Sequence, residues 1–356
     1  IALANASASS GDTIELFANV RETSAVEWVL KDGVIYNMNG YTYTLDVGTT
    51  EDAVTDNNVA GNFRILNGTI RRRGGTASQT NSLALFLDNP SSLLTLEGVE
   101  FNSDFGTTAV LQADVIGGVF THDVVGFVFQ ARNINHQGGT LKNVQAISNS
   151  MYGIYLNSSC TLINCYAYSG GTSAIFSNNS SNTLIDCTAE TDAQYGFYAN
   201  NAETLINCIG ISTASAGIYS RGSLINCQGV GLSGVGIQYQ PNGTGRAMQG
   251  CVAYSKTSVA LSCPSDFCVV KNCTAIAFTN VAVQGRGEFY DCVFESLLNS
   301  GGGASMLLTG TTTISGCTLR VNNASAYCIT ALSTYNANIL QNVYVNATTP
   351  VNTTNI

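Results

Sequence analysis

The sequence holds only two histidines, His122 and His136, and both lie where acids and arginines recur. Three residues beyond Thr69, Val99 and Val119 stand Arg72, Asn102 and His122. Asp104 and Asp123 are close by, and Arg132 and His136 follow. A histidine with two carboxylates and an arginine has the parts for acid–base chemistry on an anionic substrate: a base to take the proton and a guanidinium to neutralise a uronate. The catalytic set expected on this reading is Arg72, His122 and Asp123. The competing reading is a hydrated surface where the sequence pattern is irregular. A second group, Tyr155, Phe176, Tyr198 and Tyr219, recurs at intervals of 21, 22 and 21 residues. Such a row offers either a stacking platform for sugar rings or a packing surface for a loop or another chain. Twelve cysteines supply thiols, but their spacing is neither a dense disulfide framework nor a CxxC metal pattern. Cys263, Cys268 and Cys273 lie five residues apart with no histidine near them. No metal and no cofactor is expected.

Composition narrows the frame that must hold these residues. Hydrophobic residues make up 45% and charged residues only 10% of the 356, against a usual charged share of about 25%. Helix surfaces are ordinarily coated with Lys, Glu and Arg, so this composition argues against an α-rich protein. The net charge of −9 argues against a nucleic-acid partner, because phosphate binding needs a basic surface. The run Arg71-Arg72-Arg73 is too brief to reverse that. No apolar run reaches the length of a membrane helix, so no membrane insertion is expected. The opening residues show no signal-peptide pattern.

The chain is a repeat. Leu162-Ile163-Asn164-Cys165 returns as Leu184-Ile185-Asp186-Cys187, Leu205-Ile206-Asn207-Cys208 and Leu224-Ile225-Asn226-Cys227, and later as Met248–Cys251, Val270–Cys273, Phe289–Cys292 and Ile314–Cys317. Leu141–Val144, Leu96–Val99, Leu66–Thr69 and Leu340–Val343 continue the phrase with Val or Thr in the last place. With Ile116 and Met38 the period averages about 23 residues. The first position is large and apolar, hence inward. The second is variable, hence outward. The third is Asn, Asp or Gly, which tolerate a left-handed backbone and mark a bend. The fourth is small and buried. A strand of period-two alternation follows, as in Cys187 in, Thr188 out, Ala189 in, Glu190 out, Thr191 in. A second strand begins about nine residues later, as in Gly196-Phe197-Tyr198. Units this short cannot bury their own apolar face, so they must stack on one another.

On these grounds the sequence resembles the right-handed parallel β-helix of the pectate-lyase-like superfamily. Gly11-Asp12-Thr13-Ile14 resembles the segment that commonly opens such domains. The resemblance implies an all-β, single-stranded solenoid of about 13–14 rungs. It would form one domain over 1–356, with an entry segment at 1–37, rungs at 38–345 and a tail at 346–356. Stacked columns then lie about 4.8 Å apart. The cysteines from Cys165 to Cys317 form an internal ladder of reduced thiols, and Asp186 and Asp291 serve as bend residues rather than catalytic acids. Ile209, Ile211, Val230, Val252, Ile276 and Val293 face outward, which points to self-association, with a trimer as one closed solution.

Enzymes of this superfamily place acids, Arg or Lys on adjacent outward positions of one sheet, and the Arg72/His122/Asp123 region is the patch that fits. The Asp-rich calcium cluster of pectate lyases is missing. So are the NTD…DD…GHG series of polygalacturonases and the YG-[FI]-DPH-[DE] signature of mannuronan epimerases. Low charge, reduced cysteines and exposed apolar strand faces instead resemble phage tailspike and fibre proteins. Three functional readings follow. One is a virion spike or fibre that recognises cell-surface polysaccharide, with other virion proteins as partners and assembly in the host cytoplasm. The second is a polysaccharide lyase or glycoside hydrolase. The third is a secreted bacterial adhesin.

Overall fold

The computed structural model describes residues 1–74, 82–104, 107–122, 132–178, 181–297, 304–322, 327–331, 337–345 and 351. Asp123 lies outside them, and His122 is described by its backbone position. Contacts group the chain into two compact units, Ile1–Asn182 and Thr183–Ile356.

Each unit is a parallel coil. In the second, Thr204–Ile206 pairs in parallel with Ser223–Ile225, Ile209–Ser212 with Gln228–Gly231, and Ile218–Ser220 with Ile237–Tyr239, so one turn carries three short strands. In the first, Asn62–Arg73 pairs with Leu93–Ser103, which pairs with Val119–His122, and that with Gln145–Ser148. The fold is a parallel β-helix of about 13 turns. Among the described residues the only helix is Ala2–Ser7, and no helix is long and apolar enough to cross a membrane. Coiling starts earlier than the repeat phrase suggests: Thr13–Glu15 already pairs with Ile35–Asn37, within the segment expected to be an entry.

The bend column adopts the left-handed backbone that its residue types allow. Asn143, Asn164, Asp186, Asn207, Asn226, Asn272 and Asp291 all have φ between 50° and 55°, and Gly98, Gly250 and Gly316 lie between 63° and 68°. The two aspartates are therefore bend residues. The expected alternation holds, with Cys187, Ala189 and Thr191 buried and Thr188 and Glu190 half-exposed.

All twelve cysteines are buried and outside any disulfide, and the ladder has a reason beyond size. At the bend, where strand pairing lapses, each thiol works as a small polar link. Cys227 N donates to Cys251 Sγ at 3.4 Å, and Cys251 N to Cys273 Sγ at 3.3 Å. The same sulfurs donate to carbonyls two residues back, as Cys251 does to Gln249 O at 3.3 Å and Cys273 to Lys271 O at 3.1 Å. A buried N–H is costly to leave unpaired, and an aliphatic side chain in this slot would leave it so. Below Cys317 the side-chain oxygen of Asn342 takes over, accepting Cys317 N at 2.9 Å. Away from this ladder, burial raises the Cys160 thiol to about 11 and the Cys263 thiol well above the ordinary range.

A second inward polar column closes the other end of the same strand. Ser212 Oγ donates to Gln194 O at 2.6 Å, Ser255 Oγ to Gly234 O at 2.7 Å and Ser296 Oγ to Asn280 O at 2.7 Å. Each serine ties its strand end to the turn of the preceding rung.

Three copies of the repeat are framed one residue earlier than their side chains suggest. Ile65, not Leu66, aligns with Leu96, and Gly68, not Thr69, with Val99. Val115, not Ile116, aligns with Leu141. In the last copy the bend falls on Gln341, with φ 52°. Glycine fills the small slot at 68 because a Cβ there would sit 2.2 Å from Met38 Cβ and 2.6 Å from Tyr41 O.

Candidate functional site

That one-residue shift relocates the expected catalytic column. Counted from Gly68, Arg72 falls on an inward position, in register with Ser103. His122 pairs with Ser103 and Ser148, so its backbone occupies the same turn-closing column. Asn102 belongs to the neighbouring column with Arg71 and Thr121. The three therefore do not form one outward row.

Arg72 is fully buried and spends its guanidinium on backbone. Nε donates to Glu51 O at 2.9 Å, Nη2 to Thr49 O at 2.9 Å, and Nη1 to Val47 O at 3.1 Å, to Gly74 O at 3.2 Å and to Arg73 O. It does on a larger scale what the serines do, clamping a long turn, and its burial keeps the guanidinium from a substrate. His136 is likewise buried, with Nδ1 3.2 Å from Leu111 O and Nε2 3.1 Å from Gly139 O. Desolvation pushes its pKa down to about 4, so it stays neutral at ordinary pH, and its burial keeps it from a ligand. Asp104 does face outward, held by Arg71 at 2.8 Å and Arg73 at 3.0 Å.

The surface beside this triad is concave. A groove of about 570 Å³ crosses successive turns of the first unit, lined by Gly40, Gly68, Gly98 and Gly118 together with Asn67, Thr69, Val99, Glu100, Val119, Asn143 and Gln145. Glycine recurs along it, at the bend in Gly98 and in the small slot beside the bend at Gly68 and Gly118. Thr69, Glu100, Val119 and Gln145 are aligned on one outward column. Glu100 is positioned by a short relay: Asn102 Nδ2 donates to Thr121 Oγ1 at 2.8 Å, and that hydroxyl donates to Glu100 Oε1 at 2.9 Å. Among the described residues Glu100 is the only carboxylate on the groove lining, and no three His, Cys, Asp or Glu side chains cluster as a metal site. Amides, a hydroxyl and one oriented carboxylate match the hydroxyl groups of a sugar chain. The pair of facing carboxylates used by glycoside hydrolases is not supplied by that lining. The sequence pointed to Asn102 and Asp104 at the margin of this groove but not to Glu100, whose signal is only its outward place one residue past Val99.

The aromatic residues are closely packed. In the first unit Tyr155 and Phe176 stack at 5.2 Å and 11°, with Tyr152 against both. In the second, Tyr198 and Tyr219 stack at 4.8 Å and 11°, with Tyr195 against both. Tyr155 is 9% and Tyr219 6% exposed. Within each pair the rings turn their faces on one another, the arrangement of the packing alternative. The aliphatic row does face outward, Ile209 and Val252 each at 38% exposure.

No protein-family model matches the chain, and no curated protein does. Solved structures are similar at low identity. The A-module of mannuronan C-5 epimerase AlgE4 from Azotobacter vinelandii matches at 12% identity over 88% of this chain and 89% of that one, with a TM-score of 0.42. Tailspike protein gp49 of Acinetobacter baumannii bacteriophage Fri1, a capsular polysaccharide depolymerase, matches at 12% over 94% of this chain and 63% of that one, with a TM-score of 0.45. The surface adhesin PfbA of Streptococcus pneumoniae matches at 9% over 95% and 90%, with a TM-score of 0.35. At these values the likeness assigns no activity, and the parallel β-helix rests on the strand pairing itself.

Proposed function

We propose that this chain is a polysaccharide-binding β-helix that takes a segment of cell-surface glycan into the groove around Glu100. The observation that carries the reading is the groove itself: glycine-floored, running across turns, and edged by Asn67, Asn143, Gln145 and an oriented carboxylate. An extended glycan suits such a cleft, since hydroxyls on successive sugars meet amides on successive rungs. Binding is favoured over cleavage because the groove lining carries a single carboxylate, Arg72, the expected cation, is buried against carbonyls, and Arg71 and Arg73 are paired with Asp104; the His122 side chain and Asp123 lie outside the described residues.

The finer reading is a virion spike or fibre, which also accounts for twelve reduced thiols in a chain that folds in a reducing compartment. The outward Ile209, Ile211, Val230 and Val252 in the second unit suit a face shared between copies of the chain, a trimer being the closed form expected. The test is a titration of purified bacterial capsular and O-antigen polysaccharides against the protein and against Glu100→Gln and Asn143→Ala. Binding that weakens at least about tenfold in both variants supports the groove, since each loses one buried polar contact. Binding unchanged in both contradicts it, and release of reducing ends would move the chain to the enzymes.

A further inference from the structure

A second candidate site lies in the second unit. The turns that join the strands there differ in length. Four residues separate Phe197–Ala199 from Thr204–Ile206 and eight separate Ile237–Tyr239 from Met248–Gln249, but only two separate Ile218–Ser220 from Ser223–Ile225. Arg221 N bonds Ala199 O at 2.9 Å and Gln240 N bonds Ser220 O at 2.8 Å, so the short turn is held between the two longer ones. It forms the base of a notch. One of its two residues is Gly222, where a Cβ would meet Glu203 O at 1.8 Å, so Arg221 is the only side chain this turn presents.

Arg221 is held by one edge only. Its Nε donates to Tyr219 Oη at 2.9 Å, and Tyr219 Oη donates to Gln240 Oε1 at 3.3 Å. The guanidinium lies 5.9 Å from the centre of the Tyr219 ring, and that ring continues into the Tyr198 and Tyr195 cluster. From the long turn, Arg246 Nη1 donates to Arg221 O at 2.9 Å, which brings a second guanidinium to the same notch. Neither arginine enters an ion pair among the described residues. Glu203, the one acid of the adjoining turn, is buried and accepts Asn201 N at 2.7 Å. In a chain of net charge −9, two adjacent uncompensated arginines at the base of a notch stand out electrostatically.

We infer that this notch is an oxyanion subsite: Arg221 and Arg246 take the carboxylate of an acidic sugar, whose ring lies along the edges of Tyr195 and Tyr198. The free edge of Arg221 is a planar fork that matches a carboxylate. Tyr219 and Gln240 fix its orientation before the ligand arrives. The inference uses the polysaccharide reading only for the sugar ring, and the two sites fail separately.

The test is calorimetric titration at low salt with oligogalacturonate, its neutral methyl ester and inorganic phosphate, on the full chain. Oligogalacturonate should bind at least about tenfold more tightly than the ester and weaken about tenfold in Arg221→Gln and in Arg246→Gln, the scale of one lost charge-assisted contact. Glu100→Gln should leave this binding unchanged. If Arg221→Gln unfolds the protein, Arg246→Gln and Arg246→Lys carry the test, the lysine recovering part of the affinity. Three results overturn the inference: equal affinity for acid and ester, no binding or binding indifferent to both arginine variants, or phosphate alone binding as tightly as the oligomer. Loss of binding in Glu100→Gln alone would return the ligand to the groove and leave the notch without one.

Discussion

Replacing Arg72 by methionine keeps most of the side-chain volume and removes the guanidinium. Five carbonyls, those of Val47, Thr49, Glu51, Arg73 and Gly74, then lose their donor. A buried polar group left unsatisfied costs about 1–3 kcal/mol, but the five are not independent, since the turn can open and admit water. The comparable loss of one partner from a buried charged cluster costs about 3–5 kcal/mol, and we expect Arg72→Met to fall in that range. Arg72→Lys should recover no more than about half, because an ammonium has no planar fork and cannot span carbonyls on both sides of the turn. Urea unfolding followed by circular dichroism measures both, with limited proteolysis reporting whether the turn opens first. A change within about 1 kcal/mol for Arg72→Met would refute the clamp, that being the scale of an ordinary surface substitution. A variant with unchanged stability that lost polysaccharide binding would return Arg72 to the functional site.

The cysteine ladder and the buried titratable groups give further expectations. Cys251→Ala should destabilise by about 2 kcal/mol in the same unfolding assay, since it leaves a small cavity and strips the acceptor from Cys227 N. Cys251→Ser, which keeps an acceptor, should cost about 1 kcal/mol; no loss in either would contradict the polar role of the thiol. His136 remains neutral down to about pH 4 when folded but protonates near 6.5 when unfolded, so its contribution to stability is lost as pH falls through that window, by about 1.4 kcal/mol per unit. Asp52, pushed up to about 7 chiefly by burial, acts in the opposite sense, since the folded form keeps a proton that the unfolded form has released. The two offset each other between about pH 4 and 6.5, and Asp52→Asn should unmask the histidine slope in unfolding measured across that range. A slope equal to that of the unsubstituted protein would refute the assignment. Ile209→Lys with Val252→Lys should turn an oligomer into a monomer by light scattering, and an oligomer of unchanged mass would place its interface elsewhere.

The coil was legible because its cause is periodic. A large apolar residue, an outward residue, a left-handed Asn or Asp and a small buried Cys recur because every turn must make the same bend, and the φ values of Asn164, Asp186 and Asn207 follow from that. The site was less legible because it sits where the period slips. At Gly68 and Gly118 the small slot is filled by glycine, and neighbouring Leu66 and Ile116 imitate the inward residue. Choosing them as the frame reverses the apparent facing of every side chain downstream in that strand, and Arg72 consequently read as a surface group. Leu96 has no such neighbour, so Asn102 and Asp104 were framed correctly. Glu100 carried no signal beyond its outward place one residue past Val99, which it shares with every residue of that column. The tyrosine spacing was visible, but one-dimensional spacing does not distinguish rings laid flat to solvent from rings stacked face to face.

The most direct test of the account is a binding measurement with a panel of bacterial surface polysaccharides, the protein and Glu100→Gln compared side by side at matched stability. The account predicts that at least one polysaccharide binds the protein without being shortened, and that the substitution weakens it about tenfold or more. A panel bound equally by both proteins, or by neither, would contradict the groove as the place where this β-helix meets its ligand.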